Sequence, residues 1–245
     1  MRARAPTPRD RHRAVIVEPT LELELELVTA GADLVIGCDE VGRGAIAGPV
    51  AVGVFAILPR DGGMPVGLRD SKLLSERRRE AILPAVQQWG VARSVGLASA
   101  QEIDRIGIVA ALALAAHRAL VEIAPRIAAA QAPVVLLDGA HDWLAPVLRE
   151  RPLPGIRRVG VTTRVKADRD CGSVAGASVL AKVHRDRLMI EADARTPGYG
   201  WAGNKGYGAA AHFAAIAELG ATDLHRRTWL RSESTVADSA TAEAV

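Results

Sequence analysis

Aromatic side chains are almost missing from this chain: they make up 3% of its 245 residues, as two Phe, two Tyr and four Trp. That excludes a core built on large rings and points to one of Val, Leu, Ile and Ala, with small residues letting helices sit close on a sheet. Cysteine is equally scarce. Cys38 and Cys171 are too few for a disulfide framework and lack the paired spacing of a zinc knuckle, so both read as small buried residues. A strong excess of either charge is also absent: the net charge is +3, and the two termini carry it unevenly, with five Arg against one Asp in residues 1–13 and three acids without a base in residues 232–245. This mildly basic balance permits a nucleic-acid partner without requiring one. Apolar runs are interrupted before the roughly 20 residues of a membrane span, and the polar start has no signal-peptide apolar segment. The expectation is a cytoplasmic protein with no membrane partner.

With 49% apolar and 24% charged residues, the chain can bury a sizeable core as one domain. The Arg/Pro-rich residues 1–15 and the Ser/Thr/Ala/Glu string 232–245 read as a disordered basic arm and a disordered tail around a domain at 16–231. LELELEL (21–27) alternates like a strand, yet Leu and Glu favour helix and Gly31 offers a stop, which tips the reading to a short helix. Apolar, β-branched runs at 33–39, 49–58, 91–99, 133–138 and 155–165 predict five strands. Helical periodicity predicts helices at 77–89 (kinked at Pro84), 106–123, about 171–194 and 209–219. The expected fold class is α/β: a central mixed five-stranded sheet flanked by helices, with a helical C-terminal region.

Three strand ends carry acids. Asp39 and Glu40 close the first strand, Asp138 closes VVLLD, and Asp168 follows the strand ending TRVK. In open α/β sheets that edge is where ligands sit. Two unit charges about 4 Å apart repel by about 4 kcal/mol at an effective dielectric of about 20, so neighbouring carboxylates call for a cation. Four carboxylates and two divalent ions balance to neutrality, and oxygen-only ligands favour Mg²⁺ or Mn²⁺ over zinc. Taken singly, each acid could equally be a turn former or a helix cap.

Gly42-Arg43-Gly44 lies between the first two strands. GRGAIA satisfies the loose dinucleotide pattern G-x-G-x-x-A, which must open a helix; here Gly48-Pro49 and a β-branched run follow at once. A tight loop of exposed backbone N–H groups that can approach a phosphate or sugar closely fits better. A dinucleotide-binding oxidoreductase therefore predicts a helix from Gly44, whereas a metal-dependent nuclease predicts a second strand antiparallel to the first; a non-catalytic binder of RNA–DNA hybrids is a third possibility.

The stretch DEVGRG (39–44), followed in order by DSK (70–72), LDG (137–139), KAD (166–168), AGASVLAKVHRDRLM (175–189) and NKGYG (204–208), resembles the type 2 ribonuclease H family and, within it, the bacterial ribonucleases HII. The resemblance spans roughly residues 18–231. It implies a ribonuclease H-like fold, with Asp39, Glu40, Asp138 and Asp168 as catalytic acids holding two Mg²⁺ or Mn²⁺ ions. It also implies an endonuclease that hydrolyses RNA in RNA–DNA hybrids and cuts duplex DNA on the 5′ side of embedded ribonucleotides, leaving 3′-hydroxyl and 5′-phosphate ends; no nucleotide cofactor is expected, and a monomer is the expected state. The same resemblance gives substrate contacts to Gly42, Arg43 and Gly44 at the 2′-hydroxyl, to Tyr207 beside the neighbouring sugar, and to Ser71, Lys72 and Ser173 on phosphate. Arg185 and Asp186 read as structural, and His184 as a surface residue.

Overall fold

The computed structural model describes residues 18–230, so the expectations for the terminal arm and tail lie outside the described residues. The strands are β1 (Leu34–Val41), β2 (Val50–Ile57), β3 (Ala92–Ala98), β4 (Pro133–Asp138) and β5 (Gly160–Arg164). The helices are α1 (Glu22–Thr29), α2 (Glu76–Trp89), α3 (Ala100–Ile106), α4 (Ile108–Ile127), α5 (Ala145–Glu150), α6 (Ala167–Asp170), α7 (Gly172–Arg195), α8 (Trp201–Asn204), α9 (Ala210–Leu219) and α10 (Arg227–Leu230). The sheet runs β3-β2-β1-β4-β5. β1 is antiparallel to β2, and β2 to β3, while β4 lies parallel to β1 and β5 parallel to β4. This is the mixed five-stranded sheet that the apolar runs predict. Between Gly42 and Pro49 the chain turns and no helix forms, so the dinucleotide reading of GRGAIA is excluded.

Strand alternation divides the core in two. Leu34, Ile36 and Cys38 pack with α4 on one face of the sheet, whereas Val35 packs with α7 and α2 on the other. Glycines set the distances between layers. A Cβ on Gly37 would lie 2.1 Å from the backbone of Ser173, one on Gly53 2.4 Å from the carbonyl oxygen of Ala177, and one on Gly96 1.9 Å from that of Ala115. Both long helices therefore ride directly on strand backbone.

α4 is long and apolar enough, by length and composition, to cross a membrane, but half of it is buried here. Its apolar residues fill the core, and two of its charged residues are engaged: Arg118 donates to Glu102 at 2.7 Å, and Glu122 accepts from Ser94 at 2.6 Å. The expected helix at 106–123 is α4, which starts after Gly107 (φ 77°) and runs on to Ile127, and a separate helix, α3, that the sequence reading does not include precedes it. Ser99 and Glu102 form a capping box that starts α3 earlier. α2 runs unbroken through Pro84. β5 is shorter than the predicted 155–165, since β4 offers partners only from Val134, opposite Gly160, to Asp138, opposite Arg164. A third, smaller cluster around Met189, Tyr199 and Trp201 packs the C-terminal helices against the end of α7.

Candidate metal and nucleic-acid site

The topology delivers all four acids to one edge. β1, β4 and β5 run in the same direction, so Asp39 and Glu40, Asp138, and Asp168 just beyond β5 share the end where these strands finish. Successive residues of a strand point to opposite faces, which sends Asp39 toward α7 and Glu40 toward the α4 side. The repulsion expected of adjacent carboxylates forced together is thereby corrected: the strand separates them, although Glu40 still raises the proton affinity of Asp39.

Asp39 is 3% exposed and Asp168 5%. Burial pushes the Asp39 carboxyl well above the usual range; a hydrogen bond from Ser178 and the charge of Lys72 oppose this, and Glu40 and Asp138 add to it. Glu40 is raised by burial, with Arg43 opposing, and Asp138 by burial and then by Asp168. Arg43 Nη1 lies 3.5 Å from Glu40 Oε1. Asp138 faces the start of α6, where the N–H of Asp168 lies 3.5 Å from its Oδ1. Gly139 and Lys166, at φ 102° and 63°, make the turns that follow β4 and β5.

Lys72 is the cation among them. Its Nζ lies 3.0 Å from Asp168 Oδ2; burial works against its charge, but that bond and the fields of Asp39 and Asp70 hold it protonated more firmly than an ordinary lysine. Among the described residues no three His, Cys, Asp or Glu side chains are gathered as a ready ligand set, and the lysine offsets part of the charge that an ion would neutralise. The donor chemistry suits a hard divalent ion: carboxylate oxygens only, two of the four nearly buried, each of Asp39, Glu40 and Asp138 destabilised as an anion.

The predicted contact residues divide. Arg43 and Lys72 are exposed, Tyr207 is 39% exposed, and Gly42 and Gly44 lie on the turn after β1. Ser71 and Ser173 are buried, which corrects the expectation that they touch phosphate. Ser71 Oγ is 2.8 Å from Ser178 Oγ, the hydroxyl that also serves Asp39. Ser173 gives both its N–H and its hydroxyl to the buried Glu24 of α1, each at 2.8 Å, so its polar atoms are spent at the start of α7. Cys38 and Cys171 are both buried and free; burial first, then nearby carboxylates, pushes the Cys38 thiol up and the Cys171 thiol to about 12.

The loop is held by Arg226, which the sequence reading did not single out, and by Arg185, which it reads as structural. Arg226, fully buried, donates to the carbonyls of Gly42 at 2.6 Å, Arg43 at 2.9 Å and Gly48 at 3.1 Å. Arg185 does the same on the other side, donating to Pro49 at 2.8 Å, Ala47 at 3.1 Å and Lys205 at 2.8 Å, with Tyr207's ring 5.6 Å from its Cζ. The N–H groups of Ile46 and Ala47 both donate to Gly206 O. A Cβ on Gly42 would strike Arg185 at 2.1 Å and one on Gly206 would strike Ala47 O at 2.3 Å, so GRGAIA and NKGYG are packed backbone to backbone. Asp186 pairs with Lys182 at 2.6 Å and Arg79 at 3.5 Å, as expected of a structural residue. A groove of about 1420 Å³ opens beside the acids, lined among others by Glu40, Arg43, Arg105, Asp138 and His141.

Residues 36–232 match the family model described as Ribonuclease HII. The chain is 42% identical over 212 residues to the Ribonuclease HII of Streptomyces avermitilis, covering 86% of this chain and 83% of that one. It is 44% identical over 194 residues to a Ribonuclease HII of Thermus thermophilus, covering 79% and 85%. The crystal structure of the ribonuclease H2 from Pyrococcus horikoshii OT3 superposes with a TM-score of 0.59 at 23% identity, covering 84% of this chain and 98% of that one, a likeness of fold.

Proposed function

Because the chain belongs to the ribonuclease HII family, we propose that it removes ribonucleotides from DNA, cutting on the 5′ side of single ribonucleotides embedded in duplex and leaving 3′-hydroxyl and 5′-phosphate ends. Membership makes it a metal-dependent ribonuclease, a hydrolase acting on the RNA of RNA–DNA hybrids, and its fold is ribonuclease H-like. The finer reading rests on one juxtaposition. The turn bearing Gly42, Arg43 and Gly44 leaves the strand that carries Asp39 and Glu40, and Tyr207 is packed against that turn through Arg185.

Asp39, Glu40, Asp138 and Asp168 are the residues that would hold the ions, with two Mg²⁺ or Mn²⁺ as the proposed complement. When bound, such ions lower the pKa of a water nucleophile and stabilise charge on a leaving 3′-oxygen. The chain's own contribution is placement. The Gly42–Gly44 backbone, open at Gly44 where nothing lies within 4 Å of a Cβ position, reaches the 2′-hydroxyl that distinguishes RNA from DNA at one position. Lys72 meets a phosphate, Arg43 stands with its turn at the 2′-hydroxyl, and Tyr207 lays its half-exposed ring beside the neighbouring sugar. Residues 16–231 form the catalytic unit in this reading, which works as a cytoplasmic monomer on duplex.

Matched duplexes test it. A duplex with one ribonucleotide should be cut with Mg²⁺ or Mn²⁺ and spared with chelator, while the all-DNA duplex survives both. Arg43→Ala and Tyr207→Phe should weaken selectivity for the lone ribonucleotide more than they lower the melting temperature. Equal cutting of the all-DNA control would overturn the assignment.

A further inference from the structure

Behind Tyr207 lies a buried pair of histidines, on which the proposed reaction makes no direct demand. His212 of α9 is fully buried and His225 is 1% exposed, in a cluster with Tyr199 and Trp201. Their ring nitrogens lie in one line of contacts. Thr222 N donates to His225 Nδ1 at 2.9 Å, His225 Nε2 lies 3.2 Å from His212 Nε2, and His212 Nδ1 lies 2.9 Å from the carbonyl oxygen of Tyr207. Trp201 Nε1 also reaches His212 Nε2, at 3.0 Å.

The partners fix the tautomers. An indole N–H only donates, so His212 Nε2 must present its lone pair, and the neutral ring then carries its proton on Nδ1. That proton meets the Tyr207 carbonyl, which only accepts. At the other end a backbone N–H only donates, so His225 Nδ1 is the acceptor and Nε2 carries the proton. That second proton points at His212 Nε2, the same lone pair. Trp201 at one end and Thr222 at the other thus independently require a single arrangement, in which both rings are neutral and every ring nitrogen is used. Burial, reinforced by His212, lowers His225 to about 4, in keeping with a neutral ring. The relay also touches the loop before β2: His225 forms an isolated antiparallel bridge with Ala47, in the GRGAIA turn, and Arg226 N donates to Ile46 O at 2.9 Å.

We propose that His212 and His225 are positioning residues: the proton on His212 Nδ1, fixed by His225 and Trp201, holds the Tyr207 backbone in place, with Gly206 on Ile46 and Ala47 of the loop that begins at Gly42, and so sets selectivity for an isolated ribonucleotide. The proposal rests on the reading of Tyr207 as a contact at that nucleotide. A merely structural pair would stabilise α9 without moving the ratio between substrates.

Nitrogen-15 spectra of the histidine rings in the wild-type chain at pH 7 test the first half. His212 should appear as the Nδ1–H tautomer and His225 as the Nε2–H tautomer; a His212 protonated on Nε2, or an imidazolium at either position, would overturn the proposal. Cleavage of a one-ribonucleotide duplex and of a long hybrid tests the second. His212→Ala should lower kcat/KM on the first relative to the second by about tenfold, the worth of one buried hydrogen bond, and His212→Asn, whose amide N–H stands where Nδ1–H stood, should recover most of it. Equal losses on both substrates, or no recovery in His212→Asn, would overturn it. A wild type that spares the one-ribonucleotide duplex would refute the parent reading, whereas the tautomers are read on the wild-type chain whatever its activity.

Discussion

Asp39 and Glu40 share a peptide bond but not a face, and that alternation makes two adjacent acids tolerable at the end of β1. The residual cost falls on Asp39, nearly buried and served by Ser178 and the field of Lys72. An ionised carboxylate whose proton affinity is raised by the fold destabilises that fold at neutral pH, so Asp39→Asn should melt higher than wild type in chelator. Each kcal/mol relieved is worth about 2–4 °C in a domain of this size. The same variant should lose cleavage and gain less in melting temperature from added Mn²⁺ than wild type does. Calorimetry in chelator and in Mn²⁺ reads both; a lower melting temperature in chelator would mean that Asp39 is held mainly by attraction. The position of the acids at or just beyond strand ends was legible in the sequence, because an apolar run that stops at an acid is a local signal. Burial of Ser71 and Ser173 was not: whether a serine meets phosphate or a buried polar group depends on how α1 and the segment at Ser71 pack against α7 on one face of the sheet.

At the level of elements, the strands with continuous apolar runs were read closely, and β4 matches its predicted span residue for residue. β5 was overextended because Arg157 and Arg158 sit in an approach to the sheet that has no partner strand. α5, α6, α8 and α10, of four to six residues each, are too short to show a helical period. The approach of α4 to β3 depends on Gly96, and that of α7 to β2 on Gly53, each facing a helix carbonyl at a distance no Cβ accepts. Gly96→Ala should therefore cost about 1–3 kcal/mol or more, read as a lower denaturant midpoint. Gly44→Ala, with nothing within 4 Å of its Cβ and an ordinary φ, should change stability by less than about 0.5 kcal/mol. Equal effects would mean that the helices do not pack this closely.

For the whole molecule, the sheet edge and the C-terminal helices form one assembly through buried polar groups. Arg226 and Arg185 tie residues far apart in sequence by donating to backbone carbonyls, and such contacts leave no pattern that sequence can show. The histidine pair gives the assembly an acid limit. His225 takes up a proton near pH 6.5 when unfolded and near 4 in the fold, so its contribution is fully present above about 6.5 and is lost progressively as pH falls to about 4. Between pH 7.5 and 4.5 wild type should lose up to about 3 kcal/mol more stability than His225→Gln, measured by denaturant melts of both. Parallel losses would place the acid sensitivity elsewhere.

Catalysis in the proposed reading stands on four carboxylates, from β1, β4 and the start of α6, that serve a shared set of divalent ions. Anomalous diffraction from crystals soaked in Mn²⁺ addresses it directly. Two peaks about 4 Å apart among Asp39, Glu40, Asp138 and Asp168, with Lys72 moved off Asp168, are the predicted result; no peak within coordination distance of any two of these carboxylates would contradict it.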